Sequence, residues 1–362
     1  MAQRKVILSA DSTCDLGEEL KARYDVHYYP FHIILEGQQY QDNVDIHVQE
    51  IYQAYYDRKA LPATAAINVA EYVEYFRPWV DQGYDVIHFC LGGALSSAQK
   101  NCALAARELD GHVFPIDSCS LSTGIGLQII EAGDRIQAGM SAAEIAEAMK
   151  GIVPRCHASF ILDTLEFMKA GGRCSSVVAF GANLLSLKPC IEVDNADGSM
   201  HVGKKYRGTL KKVLPLYVRD KLTQNGKVKQ DHLFITYSTI DPSYVELVRQ
   251  AVEEVMEFRE IHVTTASCTI ACHCGPNTLG ILFIPSFARI VRGEFARCRD
   301  LNYIRSARLM GVGDARILFS HILPNTWSVL LPAVTIGFNN AILSEASMSY
   351  LGIGVQPTQA SL

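Results

Sequence analysis

Four short stretches of this 362-residue chain carry side chains able to hold an anion. Residues 84–106 contain an apolar run (Val86, Ile87, Phe89, Leu91), then Gly92-Gly93, then Leu95-Ser96-Ser97 at the head of a helically spaced segment. That order reads as strand, tight turn and helix N-terminus. The first turn of a helix leaves backbone N–H groups unpaired at the positive end of the helix dipole. The two serines therefore either complete a cradle for a carboxylate or phosphate or simply cap the helix. Thr64, in Pro62-Ala63-Thr64-Ala65-Ala66, is a second hydroxyl placed just before a helix. His273 sits among Cys268, Cys272 and Cys274, a set that invites a zinc reading. The spacing matches no paired-cysteine pattern and no second cluster completes it, so His273 reads instead as a hydrogen-bonding group beside a ligand. Arg173 closes Lys169-Ala170-Gly171-Gly172-Arg173, a glycine-stopped helix whose arginine either faces an anion or is solvated. No GxxxxGK[ST], GxGxxG, HExxH or GxSxG occurs, and no base is placed for either serine. Capture of a polar head group is expected rather than catalysis, without a cofactor or a metal.

The elements that must position these groups alternate between strand and helix. Residues 5–10 form a strand that runs into Asp11-Ser12-Thr13-Cys14-Asp15, so carboxylates and hydroxyls stand at the strand end where α/β sheets bind ligands. Asp15 also reads as the cap of the helix reaching Tyr24, Asp45 as the cap of a helix through Ile51 and Tyr55, and Asn68 as the head of the next. Residues 28–35 read as one strand and 113–117 as another, followed by helices over 121–138 and 141–149 broken at Gly139. This alternation implies a mainly parallel sheet covered on both faces. Further on come a strand at 160–162 with Asp163 as a cap, a hairpin over 191–205 turning at Asp197-Gly198, and a basic run of Lys204, Lys205, Arg207, Lys211 and Lys212. Strand, helix and strand over 232–265 and an apolar strand at 279–284 predict a second α/β unit.

Bulk composition narrows the function classes. With 49% hydrophobic and 20% charged residues the chain is globular, and a net charge of −5 argues against nucleic acid as the partner. MAQRKVILSADST has no apolar core long enough for a signal peptide, so the eleven cysteines are expected to be reduced cytosolic thiols. The charge is unevenly spread. Residues 1–284 hold 14 Lys and 12 Arg against 34 acidic residues, a balance of −8, whereas 285–362 hold 7 Arg and 4 acidic residues, a balance of +3. Residues 322–344 are 23 positions without a charge. A basic segment followed by an uncharged apolar one is either a membrane-edge pattern or a buried helical hairpin.

Residues 4–284 resemble the DegV family of fatty-acid-binding proteins. The matching stretches are DSTCDL (11–16), the YQDNVDI segment around Asp42, PATA, LSS (95–97), IDS (116–118), the DTL-then-AGGR run ending at Arg173, LLSLKP (184–189), DG (197–198), KYRG (205–208) and HCGPNTLG (273–280). The resemblance implies a two-domain DegV-like α/β fold, with a mainly parallel sheet over 1–155 and a second α/β domain over 156–284. It also implies a non-enzymatic lipid carrier that encloses a long-chain fatty acid and presents its carboxylate to the ATP-binding subunit of a fatty acid kinase. Carried over by position, Thr64, Ser96, Ser97 and His273 contact the carboxylate, and Arg173 and Arg207 lie nearer the phosphate or partner face. The family often has Thr-Thr-Ser where this chain has Ala63-Thr64-Ala65, and a serine pair where it has Gly92-Gly93. Those losses would remove hydroxyls from the head group, each worth about 1.5–3 kcal/mol against a carboxylate.

From Pro285 the resemblance changes. PSFARIVRGEF, YIRSARLMGVGDARILFSHILPN and AILSEASMSYLGIGVQP are similar to the inner-membrane permease subunits of dipeptide and oligopeptide ABC importers. This implies a mostly α-helical tail over 285–362 with a coupling loop in which Gly311, Leu323 and Pro324 meet an ABC ATPase. One span, about 325–343, would give the tail an inner-membrane association, while the DegV-like module is expected in the cytoplasm. A permease needs more spans than this, so the chain reads as a chimera joined near 284–285.

Overall fold

Apolar runs too continuous to be amphipathic become the parallel strands of the first sheet. In chain order the first half contains β1 (Val6–Asp11), α1 (Glu18–Arg23), β2 (Val26–Tyr29), β3 (His32–Leu35), β4 (Gln38–Gln41), α2 (Val48–Arg58), β5 (Ala63–Ala65), α3 (Val69–Asp81), β6 (Asp85–Cys90), α4 (Ala98–Arg107), β7 (Val113–Asp117), α5 (Thr123–Gln137) and α6 (Ala142–Ile152). Strands β2-β1-β6-β7 form a sheet that is parallel throughout, and every residue of β6 after Asp85 is buried. Burial on both faces is what a parallel sheet flanked by helices requires. The computed structural model describes residues 4–178, 187–223 and 228–285, and beyond them 312–317 and scattered positions between 304 and 331.

Two expectations for this half change. The run at 28–35 is not one strand: it breaks after β2 at Pro30, which has no N–H to offer a ladder, and β3 leaves to become the centre of an antiparallel sheet, β4-β3-β5. Thr64 consequently lies in β5, opposite Ile33, rather than at a helix head. Asn68 does cap α3, with its side chain accepting from Glu71 N and Glu71 returning the bond, and Ser141 caps α6 in the same way.

The second half contains β8 (His157–Ile161), α7 (Glu166–Gly171), α8 (Ser175–Val178), β9 (Leu187–Val193), β10 (Met200–Arg207), α9 (Leu210–Thr223), β11 (Val228–Tyr237), α10 (Pro242–Val255), β12 (Glu260–Thr265), α11 (Cys268–Cys274) and β13 (Leu279–Pro285). They build a six-stranded sheet in the order β10-β9-β8-β13-β11-β12. It is antiparallel from β10 through β13 and parallel between β11 and β12. The expected hairpin is β9–β10; of LLSLKP, residues 184–186 lie outside the described residues. The α/β class with a parallel first sheet and a second α/β layer is as expected.

The two sheets share a core. Helix α5 buries ten of its fifteen residues, and Phe160, Ile191, Phe234 and Leu282 of the second sheet join Leu8, Val86, Ile87 and Phe89 of the first in one apolar cluster. The apolar run of this helix lies in the interior, and its charged residues, Glu131, Asp134 and Arg135, fall in its second half. A hydrogen bond of 2.6 Å between Thr123 and Thr236 links α5 to β11.

The chain divides into two compact units, Met1–Ile284 and Pro285–Leu362. In the second, Asp314–Ile317 forms one helical turn, and Ile304, Ala307, Ile317 and Ile322 are buried together. Among the described residues no helix is long and apolar enough to cross a membrane. The candidate span at 325–343 lies outside them except for Leu331, as do Gly311 and Leu323; Pro324 is exposed.

Candidate ligand site

The polar groups singled out above converge on one cavity of about 170 Å³ within the first unit. A single water needs about 10–15 Å³ on this measure, so the space is a site and not a packing void. Thr64, Ser96, Ser97, Arg173 and His273 line it together with Phe31, Leu91, Leu95, Leu121, Phe160, Met168, Met200, Ile270 and Leu282. Arg207 is exposed on β10 and does not line it.

Each polar group has a local cause. The turn after β6 closes with Leu95 N and Ser96 N donating to Gly92 O, which brings Ser96 and Ser97 to the head of α4. Ser96 Oγ accepts from Ala98 N at 3.1 Å, so capping and cavity lining coexist in one residue, while the exposed Ser97 supplies no cap bond. Glycine is needed at both preceding positions. A Cβ at Gly92 would sit 3.0 Å from the Ser120 backbone, and one at Gly93 would sit 2.7 Å from Asp117 Oδ2. Neither glycine lines the cavity, nor do Ala63 and Ala65, so the hydroxyls expected to be missing there take nothing from its wall.

His273 is carried by α11, and two buried carboxylates hold that helix by its N-terminus. Asp42 accepts from Cys268 N (2.8 Å), Thr269 N (3.3 Å), Thr269 Oγ1 (2.7 Å) and Ser12 Oγ (2.7 Å). Asp15 accepts from Ser267 N (2.9 Å) and from Ser122 Oγ (2.6 Å). Carboxylates at a helix N-terminus complement its dipole. Neither expected local cap is therefore a cap: Gly17 precedes α1 where Asp15 was expected to cap, and His47 precedes α2 where Asp45 was. Asp163 likewise bonds Lys188 and Asn277 rather than starting α7. Burial pushes Asp15 up to about 7 and raises Asp42 as well.

Within the cavity His273 Nε2 lies 3.0 Å from Thr64 Oγ1. Its Nδ1 is buried without a hydrogen-bond partner among the described residues, and the ring packs on Gly171, where a Cβ would stand 2.1 Å from Nδ1. Burial first, and the Arg173 charge second, press the His273 pKa down to about 4, so the imidazole is neutral at pH 7. Arg173 is anchored through Nη1 to Gly171 O (2.5 Å) and through Nε to Leu95 O (3.5 Å). Among the described residues it is the one charged side chain on the wall at neutral pH. Two of the thiols beside His273 bond backbone carbonyls: Cys268 Sγ donates to Ile46 O and Cys274 Sγ to Gly275 O.

Besides Tyr237, five hydroxyl residues of the wall did not stand out in the sequence: Ser122, Thr236, Ser238, Thr269 and Thr278. Each directs its hydroxyl into the protein, to Asp15, to Thr123 and Thr264, to Gly275 O, to Asp42 and to Cys274 O respectively. Thr236 and Ser238 alternate at the end of β11, which was the available signal. Tyr237 aside, the hydroxyls and the charge still open to a ligand gather around Thr64, Ser96, Ser97, Arg173 and His273.

Asp11, the other candidate at the strand edge, is structural. It accepts from Tyr72 Oη (2.7 Å) and Leu91 N (2.8 Å) and lies 3.0 Å from His88 Nε2, while His88 Nδ1 reaches Ser9 Oγ at 2.9 Å. Ser9, His88 and Asp11 are fully buried, so this serine–histidine–aspartate chain meets no substrate and instead ties β1 to β6.

A family model described as uncharacterised protein of the DegV family matches residues 5–286, and one described as binding-protein-dependent transport system inner membrane component matches 277–362. A DegV domain-containing protein of Deinococcus radiodurans is 27% identical over 282 residues, which is 77% of this chain and 98% of the relative. Among solved structures, a fatty-acid-binding DegV family protein from Thermus thermophilus superposes with a TM-score of 0.71 at 27% identity, covering 78% of this chain and 99% of its own. A stearic acid-binding protein from Eubacterium ventriosum superposes with a TM-score of 0.67 at 24% identity, covering 78% and 98%.

Proposed function

Because the chain belongs to the DegV family over residues 5–286, we propose that it is a carrier that encloses a long-chain fatty acid in this cavity. The observation behind the reading is the polarity of the wall. Hydroxyl, imidazole and guanidinium groups gather in one place, and, Tyr237 aside, the rest is apolar or has its hydroxyls bonded inward. A space of that kind fits an amphiphile with one anionic head. Thr64 accepts the Nε2–H of neutral His273 and turns its own O–H to the carboxylate; Ser96 and Ser97 donate beside it, and Arg173 compensates the charge. Hydrogen bonds to a charged group contribute about 1.5–3 kcal/mol each. Each buried methylene adds about 0.8 kcal/mol, so the chain supplies affinity and the head supplies orientation.

On this reading the protein is not an enzyme. It presents the carboxylate to the ATP-binding subunit of a fatty acid kinase, with Arg173 beside the head group and Arg207 on the exposed β10 facing that partner. On the same reading the chain has two α/β domains, 1–155 and 156–284, that together enclose the acyl chain. The test is extraction of the full-length protein purified from a heterologous host, with mass spectrometry of the extract. A long-chain fatty acid is expected at about one per chain, and Thr64→Val is expected to bind it more weakly, by about 10- to 150-fold in Kd. A folded protein that is empty and refuses added fatty acid would sink the reading.

The match of 277–362 to an ABC permease component supports a second reading for the tail alone. Residues 285–362 are a permease fragment fused to the carrier, with Gly311, Leu323 and Pro324 as the remnant of a loop for an ABC ATPase. Sequencing a transcript across codons 284–285 tests the fusion, and a full-length protein confined to the soluble fraction would remove any transport role.

A further inference from the structure

Three side chains that do not line the cavity meet on one face of the β11–β12 pair. The parallel register sets His232 opposite Glu260 and Phe234 opposite His262, so His232, Glu260 and His262 share a face and the two histidines are diagonal neighbours. His232 Nδ1 lies 3.1 Å from His262 Nε2, and His262 Nε2 lies 3.7 Å from Glu260 Oε2. All three donor atoms fall within 4.8 Å of one another, and all three residues are partly exposed. A four-coordinate zinc ion with bonds of about 2.0–2.1 Å has donor atoms about 3.3–3.4 Å apart. The two spacings resolved here are within a few tenths of an ångström of that tetrahedral edge.

We propose that His232, His262 and Glu260 form a binding site for a divalent transition cation of the zinc type, with water as the fourth ligand. Two imidazoles and one carboxylate are donors that such cations accept, whereas magnesium and calcium call for oxygen sets. The two nitrogens now share one N–H···N hydrogen bond. Loading moves that proton to the other nitrogen of the donor ring, so both lone pairs face the ion and no proton is lost. Arg23 of α1 opposes the ion: its Nη1 is 2.9 Å from Glu260 Oε2, while Nη2 is held 2.8 Å from Glu19. Arg259 adds a second positive charge 3.7 Å from Glu260 Oε1. The ion and α1 therefore compete for one carboxylate, and Arg23 sets the affinity.

The experiment is calorimetric titration of the full-length protein with Zn²⁺, and with Mg²⁺ as control. One Zn²⁺ per chain and no Mg²⁺ is expected. His232→Gln and His262→Gln should each weaken binding about tenfold or more, and Arg23→Gln should strengthen it. X-ray absorption at the zinc edge of the wild type should show only nitrogen and oxygen neighbours at about 2.0–2.1 Å. This measurement decides the matter even where a histidine variant does not fold. A sulfur neighbour at about 2.3 Å, which would put the ion on the thiols, overturns the proposal. So does binding unchanged in both histidine variants, or a wild type that takes up no zinc.

Discussion

Gly171→Ala should separate ligand affinity from stability. Gly171 ends α7 with its Cα against the His273 ring, and the added Cβ would stand 2.1 Å from Nδ1 and 2.9 Å from Cε1. Neither distance is tolerable, so the imidazole must swing away. The 3.0 Å contact from Nε2 to Thr64 Oγ1 then breaks, and with it the arrangement that aims the Thr64 hydroxyl at a carboxylate. Losing one hydrogen bond to a charged group costs about 1.5–3 kcal/mol, or about 10- to 150-fold in Kd. The helix gains from the same change, since alanine is favoured over glycine by roughly 0.5–1 kcal/mol in a helix. Stability should therefore change little while affinity falls. Displacement of a fluorescent fatty acid reads the first quantity and the urea midpoint reads the second. Wild-type affinity with an unmoved His273 resonance would refute the reasoning, as would a loss of binding that merely tracks a loss of fold.

Two further outcomes follow from the same region. Asp15 has a folded pKa of about 7 against 3.8 in a free side chain, so between those values the native state holds a proton that the unfolded chain releases. Stability from this group falls as pH rises from about 4 to about 7, by a total on the order of 4 kcal/mol. Asp15→Asn should flatten that slope, and parallel urea midpoints for the two proteins between pH 4.5 and 8 would contradict it. Gly93→Ser puts back a hydroxyl that the family pattern would have, yet its Cβ would press on Asp117 Oδ2. It is expected to destabilise by about 1–2 kcal/mol in chemical denaturation and to leave fatty-acid affinity no tighter; tighter binding would show that the position reaches the head group after all.

Some of this was legible in the sequence and some was not, for physical reasons. The segment at 84–106 could be read because a strand buried on both faces is an unbroken apolar run and a glycine pair marks the turn. Thr64, Ser96, Ser97 and His273 were found through the family pattern and do share a cavity. Asp15 was misread because an aspartate ahead of a polar–apolar stretch looks like a cap whatever it bonds; its partner, Ser267 N, is 252 positions away. Asp42 spans 226 positions to Cys268 in the same way. For Arg173 the residues left open an anion-facing or a solvated side chain, and the resemblance put it nearer the phosphate or partner face; the tertiary fold places it on the cavity wall. The inward hydroxyls of Thr236 and Ser238 were passed over because their alternation at the end of β11 does not by itself say which face of the strand is buried.

The position of β13 has a consequence for biosynthesis. It is the last strand of its unit, yet it lies in the middle of the six-stranded sheet, with β8 on one side and β11 on the other. Until residues 279–285 leave the ribosome, the nascent chain carries two unpaired strand edges rich in apolar side chains, the kind of surface that recruits other chains. Pairings of such long sequence separation also close slowly. The wall that includes Gly280 and Leu282 cannot exist before then, so a lipid can enter only after translation of the unit is complete. A chain interrupted short of residue 279 should be a client of chaperones rather than a carrier of reduced affinity.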